Sequence, residues 1–224
     1  MKSTLFIITG TTKGLGKALF NILRDDNIVL TINRQEIIYE DYNINLYIDL
    51  SNISLTKINE FEKILATMLV QDIKKVIFIN NAFTMGTLAK IDALNNGEIL
   101  TSFNTNVISS FLLIKSFINK TKELPINKKI LNISSGAAKK AIDGWSVYCI
   151  SKSAMEMFIE TIKIEFNDFE CFNIDPGVMD TQMQSKIRNF EDSSYHEYFI
   201  NLFKNKELKE SDEVAKDIIK RYIQ

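Results

Sequence analysis

Residues 5–16 read LFIITGTTKGLG: an apolar run stops at Thr9-Gly10, and two more glycines follow at Gly14 and Gly16. An unbroken apolar run of this length suits a strand buried on both faces of a parallel sheet. Ala18, Leu19, Ile22 and Leu23 then recur at helical spacing over residues 16–24, so the glycine turn joins a strand to a helix. Such a turn can hold a pyrophosphate. Glycines remove the Cβ atoms that would block close approach, and the helix N-terminus adds open N–H groups and a partial positive charge. The spacing is GxxxGxG rather than GxGxxG, and alone it can equally be a tight strand-to-helix turn.

Outward from this unit the same alternation continues. Short apolar runs stand at 28–32 (IVLTI), 45–48 (NLYI), 76–79 (VIFI), 130–133 (ILNI) and 171–174 (CFNI). Helical spacing fills 53–71, 104–120 and 146–166 between them. This order predicts a doubly wound parallel α/β sheet of the Rossmann type. No repeat, low-complexity stretch or linker interrupts it, and the two prolines at 125 and 176 mark no boundary, so residues 1–224 are expected to form one domain. The stretch 178–209, with Met179, Met183, Phe190, Tyr195, Tyr198 and Phe199 among polar residues, follows a strand's carboxyl end. It reads as a substrate lid, or more simply as a pair of surface helices.

Composition removes several function classes. The chain carries 27 Lys+Arg against 28 Asp+Glu, so no general basic field favours nucleic acid. Only four apolar residues precede Thr9-Gly10, too few for a signal-peptide core, and no run approaches the roughly 20 residues of a membrane span. A single histidine rules out a multi-histidine metal site and argues against a Ser-His-Asp hydrolase, so no metal is expected. Two cysteines make no disulfide framework and fit a reducing, cytoplasmic setting.

The end of the second strand bears on cofactor choice. An acid there would hold the ribose 2′-hydroxyl of NAD, whereas an arginine accommodates the 2′-phosphate of NADP. Here the run is Thr31-Ile32-Asn33-Arg34, and Lys13 in the glycine turn adds a second cation, which favours NADP(H). Asp49-Leu50 after the third strand can hold the adenine, or Asp49 can cap the next helix.

Of the tyrosines only Tyr148 has a lysine four positions on, Lys152. Residues four apart share a helix face, and a nearby cation favours a phenolate, lowering the tyrosine pKa from its reference of about 10. Ser134-Ser135 ends the fifth strand and puts a hydroxyl at the sheet's carboxyl edge. Asn106 lies in the long helix before it, where a buried amide needs partners and could hold a water.

Taken together these residues resemble the short-chain dehydrogenase/reductase family over nearly the whole chain. The matching motifs are TGTTKGLG at 9–16, Asn80-Asn81-Ala82, Asn106, NISS at 132–135, YCISK at 148–152 and DPGVMDT at 175–181. The resemblance implies roles. Tyr148 would protonate the carbonyl oxygen, Ser135 would hold it, Lys152 would bind the nicotinamide ribose and lower the pKa of Tyr148, and Asn106 would anchor a relay water. Gly10, Thr12, Lys13, Gly14, Leu15 and Gly16 would contact the cofactor, as would Arg34, Asp49, Leu50, Asn81 and Ala82. Pro176, Gly177, Val178 and Thr181 would complete that set, Thr181 at the carboxamide. A narrower likeness, carried by residues 134–158 and 175–188, is to the bacterial benzil reductase group, itself similar to sepiapterin reductases. It implies NADPH-dependent reduction of one carbonyl of an aromatic or vicinal diketone, with Trp145 and the lid aromatics available for stacking. Another ketone (a pterin side chain or a 3-oxoacyl group), or a non-catalytic NADP-binding sensor, is the alternative.

The chain departs from the family pattern twice. Phe83 stands where the family has the glycine of Asn-Asn-Ala-Gly, which would strain the loop if that position needs positive φ. The chain stops at Arg221-Tyr222-Ile223-Gln224, at or just past the last expected helix, so six strands are expected rather than seven, with strand six at an edge. A homodimer through the two long helices, or a monomer, is the expected assembly. His196 reads as a surface or lid residue, Cys149 as packing, Lys139-Lys140 as a solvated turn and Asp180 as a helix cap.

Overall fold

The computed structural model describes residues 2–39, 43–69, 72–190 and 195–224. In chain order the elements are β1 (Thr4–Thr9), α1 (Gly14–Leu23), β2 (Ile28–Asn33), β3 (Ile44–Tyr47), α2 (Leu55–Leu69), β4 (Lys75–Asn80) and α3 (Asn96–Phe103). There follow α4 (Ser109–Thr121), β5 (Asn127–Ile133), α5 (Ser146–Glu165), β6 (Phe169–Ile174), α6 (Gln182–Arg188), α7 (His196–Lys204) and α8 (Ser211–Ile218).

The six strands form one parallel sheet in the order β3-β2-β1-β4-β5-β6. Alternation along β1 explains why its apolar run is unbroken. Leu5 and Ile7 pack with Phe61, Leu65, Phe117 and Ile159 of α2, α4 and α5, while Phe6 and Ile8 pack with Leu19, Val214 and Ile218 of α1 and α8. The strand order reverses between β1 and β4, which opens a crevice at their carboxyl ends.

Polar residues inside the strands have partners. Asn80, Asn132 and Asn173 lie opposite one another on β4, β5 and β6. The Asn80 amide donates to Asn132 Oδ1 and the Asn132 amide to Asn173 Oδ1, each at 2.9 Å, and Ser110 donates to Asn80 Oδ1 at 3.0 Å. The ladder ties the sheet together just below the crevice.

All six expected strands are present, while two helix boundaries differ. The helix expected over 104–120 begins earlier, at Asn96, because the Asn95 side chain caps it by accepting from the N–H groups of Gly97 and Glu98. A wider π-type turn, Asn104–Ile108, then separates α3 from α4. The helix expected over 53–71 starts at Leu55, and its last two residues lie outside the described residues.

Among the described residues there is no seventh strand, so β3 and β6 are the sheet edges. After α8 the chain continues in a π-type turn, Ile219–Ile223. Lys129 and Lys75 reach up from β5 and β4 to donate to the carbonyls of Tyr222 and Ile223, placing two cations at a helix C-terminus. Among the described residues no helix is long and apolar enough to cross a membrane.

Candidate active site

The crevice is a cleft of about 1020 Å³. Every residue expected to touch a cofactor lines it, as do Ser135, Tyr148 and Lys152; Asn106 does not.

At its floor the glycine turn is built to receive an anion. Gly10 and Gly14 take φ of +74° and +54°, and a Cβ on Gly16 would collide with the Gly10 carbonyl and the Asn81 amide. Around Gly14 the nearest atom to such a Cβ would be Thr181 Cγ2, 3.8 Å away. Helix α1 has no side-chain cap and no acid in its first turn, leaving its N–H groups open to the cleft. The turn is held from outside. Asn81 donates to the carbonyls of Thr9 and Gly10 at 2.9 and 3.0 Å. Asn33 accepts from the Thr11 N–H at 2.8 Å and donates to Thr11 Oγ1 at 2.9 Å. A pyrophosphate-bearing cofactor therefore fits these residues.

Both expected cations border this floor. Lys13 donates to Gln182 Oε1 at 2.7 Å, across the cleft on α6. Asp49 caps the short helical turn that follows it, and hydrogen bonds from the Ser51 hydroxyl and N–H, helped by Arg34, hold its carboxyl below the usual range.

Another part of the cleft is bordered by the first turns of α5. Tyr148 and Lys152 are buried one turn apart on that helix, and Ser135, two residues past the end of β5, lies beside Tyr148, its Oγ accepting from the Ala137 N–H at 3.2 Å. The electrostatics differ from expectation. Burial, opposed by Ser135 and reinforced by Asp175, pushes the Tyr148 phenol up to about 12. Burial likewise pulls the Lys152 ammonium down to about 7, against Asp175 and Glu156. Lys152 is not among the groups that lower the phenol; its Nζ lies 5.6 Å from the Tyr148 ring centroid and donates to the Ile133 carbonyl, 2.6 Å away. Its other side meets the ring of Phe83, whose centroid is 3.3 Å from Nζ.

Phe83 also corrects the strain expected of it. Among the described residues Lys206 is the one non-glycine with positive φ, so the Phe83 position asks for nothing that only glycine provides. Its ring packs edge-on to Tyr148 at 6.2 Å. Asn106 is likewise committed differently. Its amide accepts from the Thr84 N–H and donates to the Thr84 carbonyl, each at 2.9 Å, so it fastens the loop after β4.

Residues 178–209 form two helices over the open side. Both ends of the segment are joined: Met179 bridges Lys209, with Asp180 N–H donating to the Lys209 carbonyl and Lys209 N–H to that of Val178. Residues 191–194 within it lie outside the described residues. Phe199 of α7 stacks on Trp145 at 5.5 Å, and Trp145 meets Tyr148 edge-on at 6.1 Å. With Met85, Ile142 and Ile187 these rings make an apolar wall beside the tyrosine. Thr181, not Asp180, caps α6, while Asp180 pairs with Arg188 at 3.9 Å. Lys140 is not simply solvated: it lines the cleft with its Nζ over the Tyr195 ring. His196 lies at the start of α7 with Nδ1 near the Phe190 carbonyl, and Cys149 is buried with its thiol pushed up by that burial.

Asn33, Gln184 and Asp175 carry parts of this site that the sequence reading passed over. Asn33 had a signal, a polar residue ending an apolar strand beside the glycine turn. Gln184 had none.

Residues 4–192 match the family model described as short chain dehydrogenase. The chain is 32% identical to a benzil reductase ((S)-benzoin forming) of Bacillus cereus over 95% of this chain and 91% of that one. It is 29% identical to sepiapterin reductase of Bos taurus over 53% of this chain and 45% of that one. Among solved structures, the KRED1-Pglu enzyme superposes with a TM-score of 0.82 at 24% identity, covering 99% of this chain and 96% of that one. With the sheet order, the glycine turn and the Ser135, Tyr148 and Lys152 cluster in the expected places, these likenesses make the chain a member of the short-chain dehydrogenase/reductase family.

Proposed function

We propose that this protein is an NADPH-dependent carbonyl reductase that converts one carbonyl of an aromatic or vicinal diketone to an alcohol. The observation that carries the reading is the meeting of Ser135, Tyr148 and Lys152 at one end of the cleft, against a wall of aromatic side chains. The likeness to a protein named for benzil reduction supports the substrate class.

NADPH would lie along the glycine turn, with Arg34 and Lys13 toward its 2′-phosphate, and it supplies the hydride. Gly10, Thr12, Gly14, Leu15 and Gly16 would carry the pyrophosphate, Asp49 and Leu50 the adenine, and Asn81, Ala82, Pro176, Gly177, Val178 and Thr181 the nicotinamide side. Tyr148 gives its proton to the carbonyl oxygen as the hydride reaches carbon, so that C=O becomes H–C–O–H. A phenol pushed up to about 12 is fully protonated at neutral pH, the state a proton donor in the reducing direction needs. Ser135 donates a hydrogen bond to the same oxygen as charge gathers on it. Lys152 holds ribose hydroxyls, and Asn106 acts as a positioning residue through Thr84. Residues 178–209 serve as the lid of a single domain.

We place the protein in the cytoplasm and take its assembly to be a dimer through α4 and α5, where Phe111, Ile150, Met157 and Ile164 are exposed.

The test is loss of NADPH absorbance with benzil and a panel of ketones, NADH in parallel, on the wild type and Arg34→Ala. Diketone turnover that prefers NADPH, with the preference reduced about tenfold in the variant, is the expected result. Turnover of no ketone with either cofactor overturns the proposal.

A further inference from the structure

Gln184 is 2% exposed, and neither its amide nitrogen nor its amide oxygen has a hydrogen-bond partner in the protein. Trp145, 5% exposed, has an indole N–H in the same condition. Buried polar side-chain atoms nearly always have partners, so two such residues on one cleft are informative. Both line the cleft: Trp145 packs with Met85, Ile142, Ile187 and Phe199 and meets Tyr148 edge-on, and Gln184 lies on α6 about one turn before Ile187 of the same wall. Arg188 Nη1, one turn further along α6, is also without a hydrogen bond, but it lies 3.9 Å from Asp180 and does not line the cleft. The apolar wall supplies no partner to Trp145 or Gln184, which points to a group bound in the cleft.

We infer that Gln184 and Trp145 form a polar subsite that holds the second, unreduced oxygen of the substrate. An indole N–H only donates, and a glutamine amide presents two further donors. Donors from both residues select an acceptor such as a carbonyl oxygen. This rests on the diketone-reductase reading and deepens it. With one carbonyl at Tyr148 and Ser135, the neighbouring carbonyl is held on the α6 side. It accepts the same hydrogen bonds before and after hydride transfer, since it is unchanged by the reaction. The subsite thereby selects a 1,2-dicarbonyl over a plain ketone, and it holds the second oxygen away from the proton donor, so that one carbonyl is reduced per binding event.

Trp145 is the only tryptophan of the chain, and its fluorescence reports occupancy of the cleft without turnover. The experiment titrates 1-phenylpropane-1,2-dione and propiophenone, which lacks the second oxygen, in the presence of NADP⁺. The wild type should bind the dione about tenfold more tightly, the worth of roughly one or two hydrogen bonds. Gln184→Met, similar in volume but without the amide, should bring that ratio toward one. Gln184→Glu, which replaces the donors by a carboxylate, should bring it to one or below. Unliganded Gln184→Met should unfold at the same temperature as the wild type or higher, because it removes an unpaired buried amide. A wild-type ratio near one, a ratio unchanged in Gln184→Met, or a Gln184→Met variant that unfolds several degrees lower or fails to fold each overturns the subsite. A normal binding ratio without dione reduction overturns the reductase reading and leaves the subsite standing. Dione reduction with a ratio of one does the reverse.

Discussion

Replacing Lys152 by methionine should make the protein more stable near neutral pH, and the gain should shrink as pH rises. The ammonium is 2% exposed, and burial takes its pKa from 10.5 to about 7. The folded state therefore binds fewer protons than the unfolded state between those values. Wild-type stability from this group must rise with pH across that window, and the penalty is complete below it. At about 1.36 kcal/mol per pKa unit the full penalty is roughly 5 kcal/mol. Linkage relieves about 2–3 kcal/mol of it between about pH 6 and about pH 9. For a chain of this length that corresponds to a change of roughly 5–10 °C in the Tm difference between variant and wild type. Tyr148, pushed up to about 12, acts with opposite sign: its folded state keeps a proton that the unfolded state releases, so stability falls with rising pH from about 10 to about 12. Scans confined below about pH 9 leave that contribution out. The assay is thermal unfolding followed by far-ultraviolet circular dichroism, the two proteins in the same buffers, so that every other titrating group cancels. Curves that stay parallel over the whole range refute the reasoning, because they mean Lys152 titrates alike in the folded and unfolded chains.

Tyr148→Phe should lower kcat about 10²–10⁴-fold, the usual contribution of a positioned proton donor, while NADPH affinity changes by less than about threefold; retained turnover would show that another group donates the proton. Gly16→Ala should weaken NADPH binding by about a hundredfold, since the new Cβ displaces the Gly10 carbonyl and disturbs the anion cradle; an unchanged dissociation constant contradicts this. Phe199→Ala should raise KM for aryl ketones about tenfold and shift Trp145 emission to the red, because it removes the ring stacked on the indole. Emission at an unchanged wavelength would mean that α7 does not cover Trp145 in solution.

The fold was legible because parallel strands buried on two faces leave the plainest of signals, unbroken apolar runs, and all six of those runs became strands. The cleft was legible for a related reason: the glycine turn, Arg34 and the 148–152 pair each lie at a strand or helix end fixed by that alternation. Asn106 was harder. Its place on the helix followed from the spacing, but its hold on the Thr84 backbone depended on how the chain returns after β4. The acid-base behaviour of Tyr148 was misread because spacing says that Lys152 is on the same face, not where its Nζ points. With the nitrogen at the Ile133 carbonyl and against the Phe83 ring, burial is the largest influence on the phenol. Gln184 is the extreme case, since nothing in the run QMQSKIR at 182–188 distinguishes a buried unpaired amide from an exposed one.

The bridge between Met179 and Lys209 makes the intervening stretch a cassette. Its two ends leave the body of the protein side by side, so whatever lies between them can be exchanged without changing where the chain departs or returns. Loop-closure entropy grows only slowly with length, so a longer or shorter insert at this point would cost little in foldability. Of the apolar wall, Ile187 and Phe199 sit inside the cassette, while Tyr148, Lys152 and Ser135 sit outside it. Selection can therefore rewrite what the enzyme accepts while leaving its proton chemistry alone, and a graft of a relative's stretch between these two anchor residues is a natural way to redirect it.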